Sequence, residues 1–239
     1  MIAIQAATLF ELTESGRLLH GNSPDRSLAP RMWMGGSAAG NIVRIRVDVR
    51  EETARAIEAL VAREPPMSEA HGMPVHMDEY ADLLGAEAPV EEVSRGLTYA
   101  FPDSLDYEHG ARVVSSGTPE GAQLSAHFRV EGMPENLVEM GFVDAHDFWP
   151  PWCVALDGGT IASVAFTARL SSLGAEVGVA TPPASRGRGF AAAAAAEWAS
   201  LPALVGHVLF YSTNAANVSS QRVADRLRLA FVGSSLWIR

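Results

Sequence analysis

The segment from Glu176 to Ser200 constrains the fold more than any other. It reads Glu-Val-Gly-Val-Ala-Thr, a Pro182-Pro183 stop, Arg186-Gly-Arg-Gly189, then Phe190 and a run of six Ala before Glu197. The first six residues predict a strand, which the prolines end because they cannot donate to a ladder. The Ala run predicts a helix over 190–200, since Ala has the highest helix propensity. A strand that enters a Gly-rich loop and then a helix leaves backbone N–H groups free at the positive end of the macrodipole, a ready anion site. Gly187 and Gly189 let that backbone approach a ligand without a Cβ in the way. Arg186 and Arg188 add charge-assisted donors. The ligand implied is a pyrophosphate or a similar group.

Around this segment the pattern is regular. Residues 153–156 and 160–168 predict two strands joined by the tight turn Asp157-Gly158-Gly159. After the Ala-rich helix come a strand over 207–211, a helix over about 219–229 and a last strand over about 231–238. The order β-β-β-α-β-α-β predicts an α+β or α/β domain with a mixed sheet. Upstream, Val43, Ile45, Val47 and Val49 alternate with Arg44, Arg46, Asp48 and Arg50, a half-buried strand. Ala54, Ile57, Leu60 and Val61 recur at helical spacing over 51–64, and Pro65-Pro66 stops that helix. A short helix over 77–84 and a strand over 97–101 follow. A soft boundary near 104 divides an N-terminal α/β region, 1–104, from a domain over 105–239 that carries the anion site. No internal repeat is visible.

Composition excludes several chemistries. The 239 residues are 48% apolar and 19% charged, enough for a sizeable core, with a net charge of −10. That sign argues against a general binder of nucleic acid or of anionic membranes. The acidity belongs to the middle of the chain, a solvated acidic face, and the last third is mildly basic. Every basic side chain among the 18 is Arg. Without a lysine amine there is no P-loop lysine and no Schiff-base or pyridoxal-phosphate anchor. The single Cys153 excludes an internal disulfide and a Cys-based zinc cluster, and its apolar neighbours predict a buried small hydrophobe. Residues 1–10 lack the basic n-region of a signal peptide, and the apolar run Phe190–Ala196 is too short to span a bilayer. A cytoplasmic protein is expected. His71 and His76 beside Asp78 and Glu79 have no metal-ligand spacing, so no metal is expected. Asp144-x-His146-Asp147 near Trp149 reads first as an exposed turn and second as the mouth of a substrate site. No Gly-x-Ser-x-Gly elbow supports a hydrolase.

Two families use such a Gly-rich loop. Gly187-x-Gly189-x-x-Ala192 fits the dinucleotide fingerprint, but Pro182 to Arg186 separate it from the strand. The next strand ends Phe210-Tyr211-Ser212-Thr213-Asn214, with no carboxylate for a ribose. The second match is closer. Arg186-Gly-Arg-Gly189-Phe-Ala191, followed about thirty residues later by Asn217-Val-Ser-Ser220-Gln-Arg-Val-Ala, resembles the GNAT superfamily of acyl-CoA-dependent N-acyltransferases. The resemblance covers about 105–239 and is strongest over 176–231. Residues 1–104 loosely resemble an extra N-terminal region of some bacterial members.

That resemblance implies an α+β fold with a mixed, splayed sheet flanked by helices, and direct transfer of acetyl from acetyl-CoA, a co-substrate, to an amine. It implies that the backbone of Val177, Gly178 and Val179 pairs with the pantetheine arm as a pseudo-strand. The amides of Gly187, Arg188, Gly189, Phe190 and Ala191, with Arg186, would hold the pyrophosphate. Asn217 would bond a pantetheine amide, and Ser220 would cap or pack at the helix start. Glu176 stands where some members place a general base, or else is an edge-strand carboxylate with a structural role. Tyr211 supplies a hydroxyl at the cleft or is a core aromatic. Many members carry an acidic Tyr at the position of Ala224, so that acid is absent. The partners implied are a small-molecule amine or peptide acceptor, with a homodimer among the arrangements admitted, and neither nucleic acid nor membrane. A CoA-binding module without catalysis is the alternative.

Overall fold

The computed structural model describes residues 1–70 and 72–239. The chain begins with helix α1 (Ile2–Leu9), strands β1 (Phe10–Leu12) and β2 (Leu18–Gly21), which form a small separate ladder, and strands β3 (Met32–Ser37) and β4 (Gly40–Ile45). Helices α2 (Glu51–Val61) and α3 (Met77–Gly85) follow, then β5 (Val93–Ala100), β6 (Arg112–Ser115), α4 (Pro119–Glu131) and α5 (Glu135–Val138). The last third holds β7 (Trp152–Asp157), β8 (Thr160–Leu170), β9 (Gly174–Ala180), α6 (Phe190–Ala199), β10 (Val208–Asn214), α7 (Val218–Arg226) and β11 (Ala230–Ile238). Fold and sheet are those expected: a mixed α+β architecture with helices on a large, mostly antiparallel sheet.

Nine strands form that sheet in the order β4-β3-β11-β5-β10-β9-β8-β7-β6. Every neighbouring pair is antiparallel except β9 and β10. The β7–β8 turn carries Gly158 and Gly159 at φ of 56° and 93°, conformations a side chain rarely adopts. Strand β4 stops at Ile45, short of the alternating run; Val47 stands exposed and Val49 is buried beyond the strand. The soft boundary near 104 falls between β5 and β6, and both sides contribute strands to one sheet. Strand β5 lies between β10 and β11, paired antiparallel with each.

Both faces of the sheet are covered. Strand β7 alternates Trp152 and Val154 into a core beneath α4 and α5 with Cys153 and Ala155 into a core beneath α6. The α6 core is built on small residues: Ala192, Ala194, Ala195 and Ala196 lie against the sheet, and Trp198 fills the far end. Small side chains let the helix sit close to the strands, which brings its N-terminal amides to the edge of β9. Helices α2 and α3 cover the β3–β4 end, with Ile57, Tyr80 and Leu84 buried. Cys153 is fully buried, and burial pushes its thiol up to about 12, so it is the inert hydrophobe expected.

Candidate active site

The sheet opens between β9 and β10. Their parallel pairing runs from Gly174–Val208 to Val177–Tyr211 and stops. Beyond it Gly178, Val179 and Ala180 pair only with β8, while Ser212, Thr213 and Asn214 pair only with β5. One edge of β9 is therefore left without a strand, the condition under which an extended ligand can complete the ladder.

The loop after β9 turns into α6 through Gly187 (φ 77°) and Gly189 (φ 90°), the latter capping the helix in the left-handed region with no side-chain cap. The first-turn amides of α6 therefore face a cavity of about 480 Å³ that reaches Val179, Arg186, Phe190, Ala191, Tyr211, Asn217 and Ser220. A Cβ at Gly187 would meet nothing within 4 Å, whereas one at Gly189 would come within 2.9 Å of Arg226 Nη1. Arg222 and Arg226, one helical turn apart on α7, line the same cavity as Arg186. Among the described residues none of the three forms an ion pair, and Arg186 Nε donates only to the Thr181 carbonyl at 3.2 Å.

Several expected residues take different places. The guanidinium of Arg188 does not enter the cavity: it forms a two-pronged ion pair with Asp157 in the β7–β8 turn and lies 4.9 Å from the Phe190 ring centroid. Only its backbone remains near the cradle, and Arg222 and Arg226 bring the side-chain charge instead. Their signal in the sequence was the i,i+4 spacing on a helix facing the loop. Asn217, and not Ser220, caps the helix. Asn217 Oδ1 accepts the Ser220 amide at 3.1 Å and caps α7, leaving its amide nitrogen to the cavity. The Ser220 hydroxyl lies 2.7 Å from the Tyr211 hydroxyl. Tyr211 is both buried and at the cavity wall, and burial raises its pKa above the usual phenol range. Val177 is packed in the core beneath α6, so only its backbone bears on the opening. Ala224 is fully buried and offers no acid.

Glu176 lies on the opposite face of β9 and lines neither this cavity nor the next. Its Oε2 accepts the Ser212 hydroxyl at 2.7 Å. Burial raises its pKa, against the opposing effects of that hydrogen bond, the Arg169 charge and the Gln5 amide. Gln5, reaching in from α1, donates to Thr98 at 2.6 Å and to Ser212 at 3.2 Å.

A second cavity of about 520 Å³ lies on that opposite face, bounded by Gly178, Val179 and Ala180 and by Asp25, Phe142, Asp147, Trp149, Phe166 and Arg169. Val179 borders both cavities, so they flank the unpaired stretch of β9 from its two sides. His146, Asp147 and Trp149, read first as an exposed turn, stand at the rim of this space. The His146 side chain is largely exposed and paired with Asp144 at 2.6 Å. Among the described residues no group of three or more His, Cys, Asp or Glu side chains is placed to hold a metal ion. His76 pairs with Glu79 at 3.3 Å, and His71 lies outside the described residues. No described helix is long and apolar enough to cross a membrane.

The fold and its opening define the chain as an α+β protein with a splayed sheet and a cavity at the splay. No family model matches the sequence, and no curated protein matches it. Several of the chain's structural neighbours are GNAT-family acetyltransferases. One is an acetyltransferase of that family from Novosphingobium aromaticivorans (22% identity over 62% of this chain and 65% of that one, TM-score 0.41). Another is a GCN5-related N-acetyltransferase from Kribbella flavida (15%, covering 66% and 62%, TM-score 0.42). A third is a GNAT-family acetyltransferase from Colwellia psychrerythraea (14%, covering 95% and 78%, TM-score 0.45). The chain spans less than two thirds of the length of the first two.

Proposed function

We propose that this chain is a GNAT-type N-acetyltransferase that moves acetyl from acetyl-CoA to an amine by direct transfer. The observation that carries this reading is that two cavities flank Val179, one lined by the start of α6 and by three arginines that form no ion pair among the described residues, the other on the far face of the sheet. A thioester laid along the open edge of β9 has its phosphates at the cradle and its reactive carbon where the second cavity begins. The Gly187–Ala191 amides and Arg186, Arg222 and Arg226 supply hydrogen bonds and charge for a pyrophosphate and a further phosphate. The glycines fit that role, since no side chain of theirs obstructs the cradle.

In this reading Glu176 removes one proton from the acceptor ammonium through the Ser212 hydroxyl or a water, because its carboxylate borders neither cavity. The freed amine attacks the thioester carbon, and a backbone N–H near Val179 stabilises the developing oxyanion. The C–N bond forms and the C–S bond breaks. The second nitrogen proton neutralises the departing thiolate, with the Tyr211 hydroxyl in reach of the cleft. Residues 1–104 shape the acceptor side: Ser23 and Asp25 line the second cavity, and Gln5 buttresses the Glu176 network.

The test is thermal stability with acetyl-CoA or NAD, followed by thiol release with a panel of amines. Acetyl-CoA should raise the Tm and NAD should not. Equal stabilisation by NAD would return the dinucleotide reading to first place. Binding of acetyl-CoA with no acceptor-dependent thiol release would favour a module without catalysis.

A further inference from the structure

The charged side chains of the second cavity differ in how much hydrogen-bonding capacity they have left. Asp147 Oδ2 accepts the amides of Val143 and Asp144, each at 2.9 Å. Asp25 Oδ1 accepts the Ser23 hydroxyl and the Ser27 amide. Both carboxylates therefore staple the loops that carry them. Arg169 is different. Its Nη1 donates to the Ala168 carbonyl at 2.7 Å, and no carboxylate lies within 4.0 Å of its guanidinium among the described residues. A guanidinium carries five N–H donors, so most of its capacity is unspent.

Its placement follows from the sheet. A bulge in β8 after Thr167 sets Arg169 opposite Glu176 on β9, on the same face. The neighbouring wall is apolar. Phe166 lies over Gly178, where a Cβ would come within 2.4 Å of its Cζ, and Phe142 meets Phe166 edge to face at 5.2 Å. Trp149 lines the same space.

We infer that the acceptor is an amine carrying a carboxylate within a few bonds, an amino-acid-like zwitterion with an apolar side chain, and that Arg169 binds the carboxylate. This rests on the acetyl-transfer reading above. A planar guanidinium matches a carboxylate with two parallel N–H···O bonds. With the carboxylate held there, the amine lies toward the unpaired stretch of β9 that both cavities border. The aromatic wall takes the side chain, and about 520 Å³ suits a molecule of that size. An amine without the carboxylate leaves the Arg169 guanidinium without its ion pair and so binds less well.

The experiment uses the full chain with saturating acetyl-CoA and matched acceptor pairs: L-phenylalanine with phenylethylamine, and L-leucine with 3-methylbutylamine. Wild type should prefer the amino acid in kcat/KM by ~10–100-fold, the scale of a charge-assisted hydrogen bond. Arg169→Gln should abolish that preference mainly through KM, with acetyl-CoA binding by calorimetry unchanged, and Arg169→Lys should restore part of it. Equal rates on both members of each pair, an Arg169→Gln enzyme that keeps the preference, or amines alone being acetylated would each overturn the assignment. So would acetyl-CoA binding with no transfer to any amino acid. Absence of acetyl-CoA binding by wild type is a different result, and it would sink the reading of the first cavity as well.

Discussion

Val177 and Tyr211 are the last residues paired between β9 and β10, and the sheet divides immediately beyond them. The same two residues mark opposite duties. Val177 packs its side chain into the core beneath α6, so the strands are held firmly up to that point. Tyr211 turns its hydroxyl to Ser220 on α7, so the helix that walls the opening is tied to the strand that leaves it. The opening is thus a built discontinuity, with Gly178 and Val179 as its floor.

The cradle makes unequal demands on its arginines. Arg226 lies over Gly189 and forms no ion pair among the described residues, whereas Arg188 is already paired with Asp157. Arg226→Ala should weaken CoA by ~10–100-fold, the scale of a lost charge-assisted contact. Arg188→Ala should have a smaller effect, since an exposed pair in the β7–β8 turn is what it breaks. Calorimetry at two salt concentrations separates them, because the Arg226 loss should shrink at high salt. Equal losses would place the Arg188 side chain on the ligand.

Removing residues 1–104 should not leave a soluble 105–239 fragment. Strand β5 would go with them, and it lies between β10 and β11 in the middle of the sheet. The ladders of β5 with β10 and β11 and of β3 with β11 would be lost, leaving β11 with no partner and one edge of β10 exposed. A truncation at residue 105 should be recovered only as aggregate. A monomeric fragment with a cooperative melt would show that β10 and β11 can re-pair without β5.

The contrast between α6 and β5 shows what local sequence carries. The Ala run, the Gly158-Gly159 turn and the Arg186–Gly189 loop each encode their conformation in adjacent residues, and all form where expected. Strand β5 was legible as a strand from Leu97, Tyr99 and Phe101, but its insertion between two strands more than a hundred residues away was not. Helix α1 and strand β3 carry no such local signal, because Ile2–Leu9 is nearly apolar throughout and Gly35 and Gly36 interrupt the β pattern. In the site, Gly187 and Gly189 were legible from backbone requirements alone. The Arg188–Asp157 pair and the Arg169–Glu176 alignment depend on how β8 pairs with its neighbours, which no spacing reveals.

Tyr211→Phe should lower kcat by less than about tenfold, since solvent can replace a weak acid. Burial holds the hydroxyl protonated through neutral and moderately alkaline pH, so it stays a donor over the working range. The lost bond to Ser220 should cost about 1 kcal/mol of stability at neutral pH. Because the folded pKa is raised, the stability linked to the neutral phenol is fully present below the unfolded value near 10 and is lost as pH rises through the folded value. The Tm difference between wild type and variant should therefore narrow above about pH 10. A difference that widens there would contradict the buried, neutral phenol.

The last expectation concerns Glu176, whose carboxylate is held by Ser212 behind the opening. Glu176→Gln should keep acetyl-CoA binding and lower kcat by roughly 10²–10⁴. The loss should shrink as pH rises, because free amine then becomes available without a base. Stability distinguishes this from simple damage. Burial raises the Glu176 pKa, so its stabilising contribution is fully present below the unfolded value, when the group is protonated, and is lost as pH rises through the folded value. At neutral pH the charged form is a cost to the fold, and Glu176→Gln should melt no lower than wild type. Its advantage should vanish toward pH 4, where both side chains are neutral. A variant that melts as predicted but turns over at a near-normal rate at neutral pH would leave the carboxylate a structural role. One that melts well below wild type at pH 7 would overturn the account of its burial.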